Sequence, residues 1–350
     1  MADILPFLKS LLSAPGLTGH ESPVASLIEA KWKTIADEMQ RTRLGSIHAL
    51  SAGDGYPPRP KLLISAHMDA IGLMVANVAD GFLTLSPVGS VDPRILPSQN
   101  VIVHGRETLQ GVIIPLPAAF RANPKEAITF DDLLVDVGLP PKRLAQLVQA
   151  GDLVSFATEP TDLRGGILSG HSLDNRASIA ALTLALDEIQ MKRHAWDVWF
   201  AATVQEEVSY AGGGTSAFAL RPDLAIIVDV TFGEDGSGKR WETFPLSGGP
   251  TLGVGASIHP FLLKKLKEHA HALDIPFAVE PMPEESFTET DLIQLTRAGI
   301  PTAIISIPTR YMHTPVETTA LVDIERVGKL LCEFSASLEH DFLQKVTWDD

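Results

Sequence analysis

Histidine and carboxylate side chains recur at five places in the sequence, each at the end of an apolar run or in the loop after it. The motifs are SAHMDAIG with His67 and Asp69, SLDNRAS with Asp174, TVQEEVSY with Glu206 and Glu207, IIVDVTF with Asp229, and RYMHTPVE with His313. Imidazole and carboxylate groups are the usual protein ligands of zinc and similar divalent cations. The intervals between motifs are too long for a local chelating loop, so these side chains meet only if the fold brings them together.

The residue types together match the needs of a hydrolase with two neighbouring metal ions. Such a centre requires a bridging carboxylate, an imidazole and a terminal carboxylate for each ion, and a water between them. The sequence supplies this set as His67, His313, Asp229, Glu207 and a bridging Asp174. Asp69 can accept the second ring N–H of His67 and fix its tautomer. Glu206 remains as the carboxylate beside the water, which is the position of a general base.

Adjacent glutamates are more often a solvated helix face than a catalytic pair. Glu206 and Glu207 follow the apolar run VWFAATV after a single glutamine and come just before SYAGGG, so we expect no helix face to solvate them. Consecutive residues on a straight strand point to opposite faces, so both reach one site only if the chain bends. The glycines at 212–214 indicate a turn in this region.

Helical and strand patterns alternate around these motifs. A helix is predicted from Ser22 to about Met39, and a buried strand over residues 61–66. Helices are predicted over residues 176–190 and 214–220, and strands over residues 197–204, 225–229 and 302–307. Open α/β sheets bind ligands in the crevice at the carboxyl ends of their strands, where the five motifs lie.

Residues 71–162 have a different pattern. Short apolar runs such as GLMVANV and NVIVHG alternate with turn residues, which is typical of a small all-β unit. The sequence therefore predicts a layered α/β domain made of residues 1–70 and 163–350, interrupted by an inserted β domain over residues 71–162.

Composition narrows the classes of partner and compartment. The chain of 350 residues has 28 Lys and Arg against 43 Asp and Glu, a net charge of −15, so it has no electrostatic reason to bind nucleic acid or an anionic membrane. Its one cysteine, Cys332, excludes an internal disulfide framework and a cysteine zinc cage. No apolar run approaches the ~20 residues of a membrane span, and the first residues lack a basic secretory signal, so we expect a cytoplasmic protein.

The motifs resemble those of metallopeptidase family forty-two, which includes glutamyl aminopeptidase, the tetrahedral TET aminopeptidases and proteins labelled endoglucanase or cellulase. The similarity covers nearly the whole chain, including PGLTGHES and, at the opening of the inserted domain, PVGSVDPRILPSQNVIVHG. It implies a layered α/β/α zinc-peptidase domain with an inserted, β-barrel-like domain. Asn175, Ser178 and the turn SYAGGG depart from the family pattern, and none of these departures removes a ligand.

The resemblance also implies roles for the residues. His67 and Asp229 would bind one divalent ion, Glu207 and His313 the other, with Asp174 bridging and Glu206 as the base. Zinc is the expected metal, although cobalt and manganese also suit nitrogen and oxygen ligands. Relatives place the bridging aspartate before a cis peptide bond, which we expect between Asp174 and Asn175.

The same resemblance implies peptide substrates and a homo-oligomer. Relatives dimerise through the inserted domain and build twelve-subunit tetrahedra, so we expect a dodecamer first and a dimer second.

Three other functions compete with an aminopeptidase. A deacylase or carboxypeptidase on the same metal centre needs an arginine for the substrate carboxylate, and Arg176 and Arg310 are available. A glycosidase needs aromatic platforms beside two carboxylates, and 5 Trp with 3 Tyr are few. A scaffold without activity fits least, because every ligand type is present. His259, in GASIHPF, is a further candidate for a loop over the site.

Overall fold

The computed structural model describes residues 3–123, 125–236 and 242–348. The helices are α1 (Leu5–Ser13), α2 (Ser22–Trp32), α3 (Pro141–Leu147), α4 (Leu173–Ile189), α5 (Glu206–Ser209), α6 (Ala211–Leu220), α7 (Pro260–Ala272), α8 (Thr290–Gln294) and α9 (Leu321–Ala336). The strands are β1 (Glu38–Arg41), β2 (Ile47–Ser51), β3 (Lys61–His67), β4 (Gly72–Ala79), β5 (Phe82–Val88), β6 (Asn100–His104), β7 (Thr108–Pro115), β8 (Leu133–Asp136), β9 (Leu153–Phe156), β10 (Thr161–Leu163), β11 (Ile167–Gly170), β12 (Asp197–Thr203), β13 (Leu224–Phe232), β14 (Thr251–Gly255), β15 (Ala278–Met282), β16 (Thr302–Arg310) and β17 (Glu317–Ala320).

Eleven strands form one large sheet, in the order β1-β2-β12-β3-β13-β16-β17-β11-β10, with β14 beside β16 and β15 beside β14. Its centre consists of the parallel strands β12, β3, β13 and β16. Their interior residues are buried almost throughout, as expected for parallel strands covered on both faces. The carboxyl ends of all four strands therefore meet at one edge of the sheet.

Helices cover the sheet and complete a layered α/β/α arrangement, which confirms the predicted fold class. The long helix α4 packs against α9, and both contact β16. Helix α6 packs against α8 and contacts β3 and β12. Cys332 of α9 is buried, as are Val327, Leu331 and Phe334 of the same helix.

The strands between Gly72 and Phe156 form a separate closed barrel in the order β4-β5-β8-β7-β6-β9. The barrel has its own apolar core, whose fully buried members include Leu73, Leu83, Val101, Ile113 and Val135. The predicted β-barrel-like insertion is thus present.

One helix boundary was predicted wrongly. Helix α2 ends at Trp32, whereas the apolar pattern indicated a helix to about Met39. Met39 instead lies in β1, where it pairs with Ala49 of the antiparallel neighbour β2. Pairing at the sheet edge outweighs local helical periodicity here.

No helix within the described ranges is both long enough and apolar enough to cross a membrane.

Candidate metal centre

The strand register brings the five sequence motifs to the same edge of the sheet. His67 is the last residue of β3 and pairs with Thr203, the last residue of β12. Asp229 lies towards the end of β13, next to Ser306 of β16. His313 follows β16 by three residues and has a left-handed φ of 62°.

Asp174 lies between the two histidines. Its Oδ1 is 3.2 Å from Nε2 of His67, and its Oδ2 is 3.2 Å from Nε2 of His313. The peptide bond between Asp174 and Asn175 is cis, as predicted. One carboxylate therefore faces two imidazoles with different oxygen atoms, which is the arrangement of a bridging ligand.

The two adjacent glutamates enter the same cluster. Oε2 of Glu206 is 3.7 Å from Nε2 of His67, and Oε2 of Glu207 is 3.4 Å from Nε2 of His313. Oδ1 of Asp229 lies 3.8 Å from Nε2 of His67. Two groups of three side chains have all their potential ligand atoms within 4.8 Å of one another. One group is His67, Asp174 and Glu207, and the other is His67, Glu206 and Asp229.

The bend that admits both glutamates is not where the glycines indicated it. Residues 212–214 lie inside α6, where Gly212 packs against the backbone of Val204. The bend is at Gln205, whose left-handed φ of 59° starts the four-residue helix α5. The glutamates do begin a helix, contrary to expectation, but Glu206 is only 6% exposed and therefore does not lie on a solvated helix face.

Asp69 holds this bend in place. Its Oδ1 accepts the backbone N–H of Glu206 at 3.0 Å, and its Oδ2 accepts that of Glu207 at 3.3 Å and the Thr18 hydroxyl at 2.8 Å. Nδ1 of His67 lies 3.2 Å from the carbonyl oxygen of Asp69 and 3.5 Å from its Oδ1. Asp69 thus contacts the backbone of both glutamates as well as the ring of His67.

The carboxylates of this cluster lie close together and are largely shielded from solvent. Burial, followed by the charges of Asp229 and Asp174, raises the pKa of Glu206 to about 9. Burial and the charge of Asp174 likewise raise the pKa of Asp229 to about 7. Burial alone would lower the pKa of His67, but the surrounding carboxylates, Glu206 foremost, raise it well above its ordinary value. A bound cation relieves this repulsion, because it favours the charged form of each carboxylate.

The donor set fits divalent cations. It offers imidazole nitrogen and carboxylate oxygen on a buried surface, which are the ligand types of zinc, cobalt and manganese. In the described part of the chain, Oε1 of Glu207 is buried without a hydrogen-bond partner. A buried carboxylate oxygen without a donor is costly unless a cation contacts it.

One residue of the centre was missed in the sequence. Glu317 is 1% exposed, and its carboxylate accepts the backbone N–H of Asp174 and of His313, both at 3.0 Å. It therefore joins the bridging aspartate to the loop of the second histidine. The available signal was its position at the end of YMHTPVE, four residues after His313.

The arginines that a carboxypeptidase would require have other partners. Arg176 is 1% exposed and donates to the backbone carbonyls of Leu11 and Ala14. Arg310 donates to the carbonyl of Glu234. Neither lines the cavity beside the ligands. This finding removes the sequence feature that favoured a deacylase or carboxypeptidase.

His259 does not lie over the site. Its backbone N–H donates to Thr302, the first residue of β16, whereas the ligands lie at the opposite end of that strand. Its ring packs edge-on against Trp348 at 5.1 Å between centroids. The loop that contains His259 therefore lies at the amino-terminal end of β16, away from the ligands.

An open cavity of about 710 Å³ adjoins the ligand cluster. All five predicted ligands and the predicted base line it; they are His67, Asp174, Glu207, Asp229 and His313, with Glu206 as the base. The cavity is large enough for a peptide end, and its wall carries the reactive carboxylates.

The sequence matches known proteins over most of its length. The family model described as M42 glutamyl aminopeptidase matches residues 45–330. The lysyl aminopeptidase of Pyrococcus furiosus is 33% identical over 331 residues, which cover 92% of this chain and 94% of that protein.

Solved structures give the same result. The TET aminopeptidase of a marine sediment Thaumarchaeota archaeon has a TM-score of 0.93 at 26% identity, over 98% of this chain and 99% of that one. The TET1 peptidase of Pyrococcus horikoshii, which can assemble into a tetrahedron or a large octahedral shell, has a TM-score of 0.81 at 26% identity, over 96% and 100% of the two chains. Family match, relatives and fold agree, and the chain belongs to the M42 glutamyl aminopeptidase family, as a peptide-bond hydrolase of the aminopeptidase class that uses divalent metal.

Proposed function

We propose that this chain removes N-terminal residues from peptides with a centre of two divalent metal ions and with Glu206 as general base. The observation that carries the proposal is the position of Asp174, whose two oxygens each lie 3.2 Å from a different imidazole. A carboxylate shared between two imidazole-bearing sites is what a two-metal centre requires.

His67 and Asp229 would hold one ion and His313 and Glu207 the other, with Asp174 shared between them. Zinc suits this set, and cobalt or manganese are the alternatives. When bound, the ions supply Lewis-acid polarisation of the scissile carbonyl and make the attacking water more acidic.

Glu206 moves the proton. Its carboxylate lies in the cavity wall, 3.7 Å from the ring of His67, and takes a proton from the attacking water. It then delivers that proton to the amine of the departing peptide, so that its charge is the same after each turnover. Asp69 positions Glu206, because its carboxylate accepts the backbone N–H of Glu206 and so holds the backbone from which the Glu206 side chain extends.

Selection of a free amino terminus follows from the charge of the cavity. Its wall carries the carboxylates of Asp174, Glu206, Glu207 and Asp229. This field attracts an α-ammonium group and offers nothing to a blocked terminus.

The direct test compares peptides with free and acetylated amino termini, before and after treatment with EDTA. Only free-amine peptides should be cleaved, EDTA should abolish cleavage, and metal analysis should find two ions per chain, chiefly zinc. Full activity in metal-stripped protein contradicts the proposal, as does equal cleavage of acetylated peptides.

We also propose that residues 1–70 and 163–350 form the catalytic domain and that residues 71–162 mediate assembly. Two observations support assembly, namely the tetrahedron formed by the similar Pyrococcus horikoshii peptidase and the 76% exposure of Phe120 in the insertion. Light scattering should show about twelve chains in one particle, or two in a smaller form. A single species of 37.7 kDa at micromolar concentration contradicts this proposal.

A further inference from the structure

A half-buried carboxylate that the proposed reaction does not use lines the same cavity. Glu280 of β15 accepts the Thr231 hydroxyl with Oε1 at 2.6 Å and the Thr251 hydroxyl with Oε2 at 2.5 Å. Both partners are neutral, and burial raises the pKa of Glu280. Among the residues that the structure describes, no ion pair includes it. A cation that reaches a partly desolvated carboxylate of this kind favours its charged form.

Strand pairing places this carboxylate next to the metal-binding residues. Thr231 is two residues beyond Asp229 on β13, so both side chains point to the same face of the sheet. Thr251 of β14 pairs with Ser306 of β16, and Ser306 pairs with Asp229. The cavity therefore runs continuously from the candidate ligand Asp229 to Glu280.

Ser306 provides an independent sign of a ligand at this end of the cavity. It lines the cavity and is 1% exposed, and its Oγ has no hydrogen-bond partner within the described ranges. A buried hydroxyl without a partner is uncommon unless a ligand or water completes it.

The rest of this end of the cavity is acidic at its rim and apolar along its wall. Glu284 and Glu285 are exposed and line the rim. Met282, on the same strand as Glu280, is buried and lines the cavity. No described residue that lines the cavity is a lysine or an arginine.

We infer that this end of the cavity binds the side chain of a basic N-terminal residue, lysine or arginine, with Glu280 and Ser306 contacting its charged group. The inference rests on the proposed function, since it assigns the side-chain subsite of that reaction. The aliphatic stem of the substrate residue packs on Met282 while its cationic head reaches the carboxylate. The charge-assisted hydrogen bond to Glu280 then favours lysine and arginine over a neutral residue of similar length.

The test is a panel of aminoacyl chromogens that carry lysine, arginine, norleucine or glutamate, used with the metal-loaded full-length protein. The wild type should give a kcat/KM for lysine and arginine at least ~10-fold above norleucine, with glutamate lowest. Glu280→Gln should lower kcat/KM for lysine and arginine by ~10–100-fold, the usual range for a hydrogen bond to a charged group. Norleucine should change by less than about threefold, because its side chain makes no such bond.

Glu285→Gln is the matched control, since the same chemical change is made at the exposed rim. We expect it to lower lysine cleavage by less than about threefold, because solvent screens that charge. Metal content and the thermal unfolding midpoint of each variant show whether the centre and the fold are intact. If Glu280→Gln does not fold, the wild-type panel still decides the question, as does competitive inhibition by lysinamide against norleucinamide.

Three outcomes overturn the inference. They are a wild type that prefers norleucine or glutamate, equal losses for lysine and norleucine in Glu280→Gln, and equal effects of Glu280→Gln and Glu285→Gln. Cleavage of norleucine without cleavage of lysine leaves the proposed aminopeptidase reaction intact, whereas no cleavage of any free-amine substrate rejects that reaction itself.

Discussion

The large sheet and the inserted barrel both consist of β-strands around apolar cores, but their acidic residues differ in burial and in partners. Both groups of three candidate metal ligands among the described residues lie at the carboxyl edge of the sheet, where carboxylates are buried close together. In the barrel, Asp132 instead accepts hydrogen bonds from Thr129 and forms an ion pair with Arg121, and Glu107 is exposed. Among the described residues, the carboxylates at the edge of the sheet have no lysine or arginine as partner and can bind a ligand. In the barrel, these two carboxylates are paired with an arginine or exposed to solvent.

The difference follows from topology. Parallel strands direct their carboxyl ends to one crevice, so polar residues after several distant strands converge. Antiparallel strands in a closed barrel alternate in direction, and their ends are divided between two rims. Substitutions of the same kind in the two regions should therefore have very different effects.

The largest contrast is expected between Glu206→Gln and Glu107→Gln. The first should lower kcat by ~10²–10⁴-fold while both metal ions remain bound, because an amide cannot accept the proton of the water. The second changes an exposed barrel residue and should leave kcat unchanged. Steady-state kinetics with metal analysis measures both. A Glu206→Gln protein that loses metal, beside a Glu207→Gln protein that keeps it, would mean that the two glutamates have exchanged roles.

Loss of a proposed ligand should have a large but partly reversible effect. His313→Ala should retain about one ion per chain and lose most activity, since its imidazole is the proposed nitrogen ligand of the second ion. Excess zinc should restore part of that activity, which distinguishes this variant from Glu206→Gln. His104→Ala in the barrel is the control and should keep the wild-type metal content. Two tightly bound ions in His313→Ala would disprove the assignment.

A smaller effect is expected for Glu317→Gln. The amide keeps one acceptor oxygen, so it loses one of the two backbone N–H bonds that join Asp174 to the His313 loop. Metal affinity should fall by ~10–100-fold, the usual range for residues that orient ligands, while kcat at saturating metal changes little. Glu325→Gln, on α9, is the control. Equal metal affinity in the two variants would show that Glu317 does not position the centre.

The smallest effect on catalysis is expected in the insertion. Phe120→Asp replaces an exposed aromatic residue and should shift the assembly towards smaller species, because a buried charge opposes an apolar contact. The kcat/KM of each subunit for a short peptide should stay within about twofold of the wild type. Size-exclusion chromatography with light scattering measures the shift. An unchanged particle mass would place the proposed contact elsewhere.

The sequence alone determined which residue types end the strands, the change from α/β to all-β texture at the insertion, and the acidic charge of the chain. The secondary-structure pattern follows from local periodicity, because burial repeats every two residues in a strand and every 3.6 residues in a helix. The charge follows directly from the composition. The sequence also marked seven candidate site residues, each within or after an apolar run, although it missed Glu317.

Only the tertiary structure decided how those residues are used. The order and register of the strands set which oxygen of Asp174 faces which histidine and bring Glu280 and Ser306 into the wall of one cavity. They also bury Arg176 under backbone carbonyls, which no local pattern indicated. The physical reason is that distances between side chains more than 100 positions apart depend on strand pairing and helix packing across the whole sheet, whereas a local pattern specifies only which face each residue occupies.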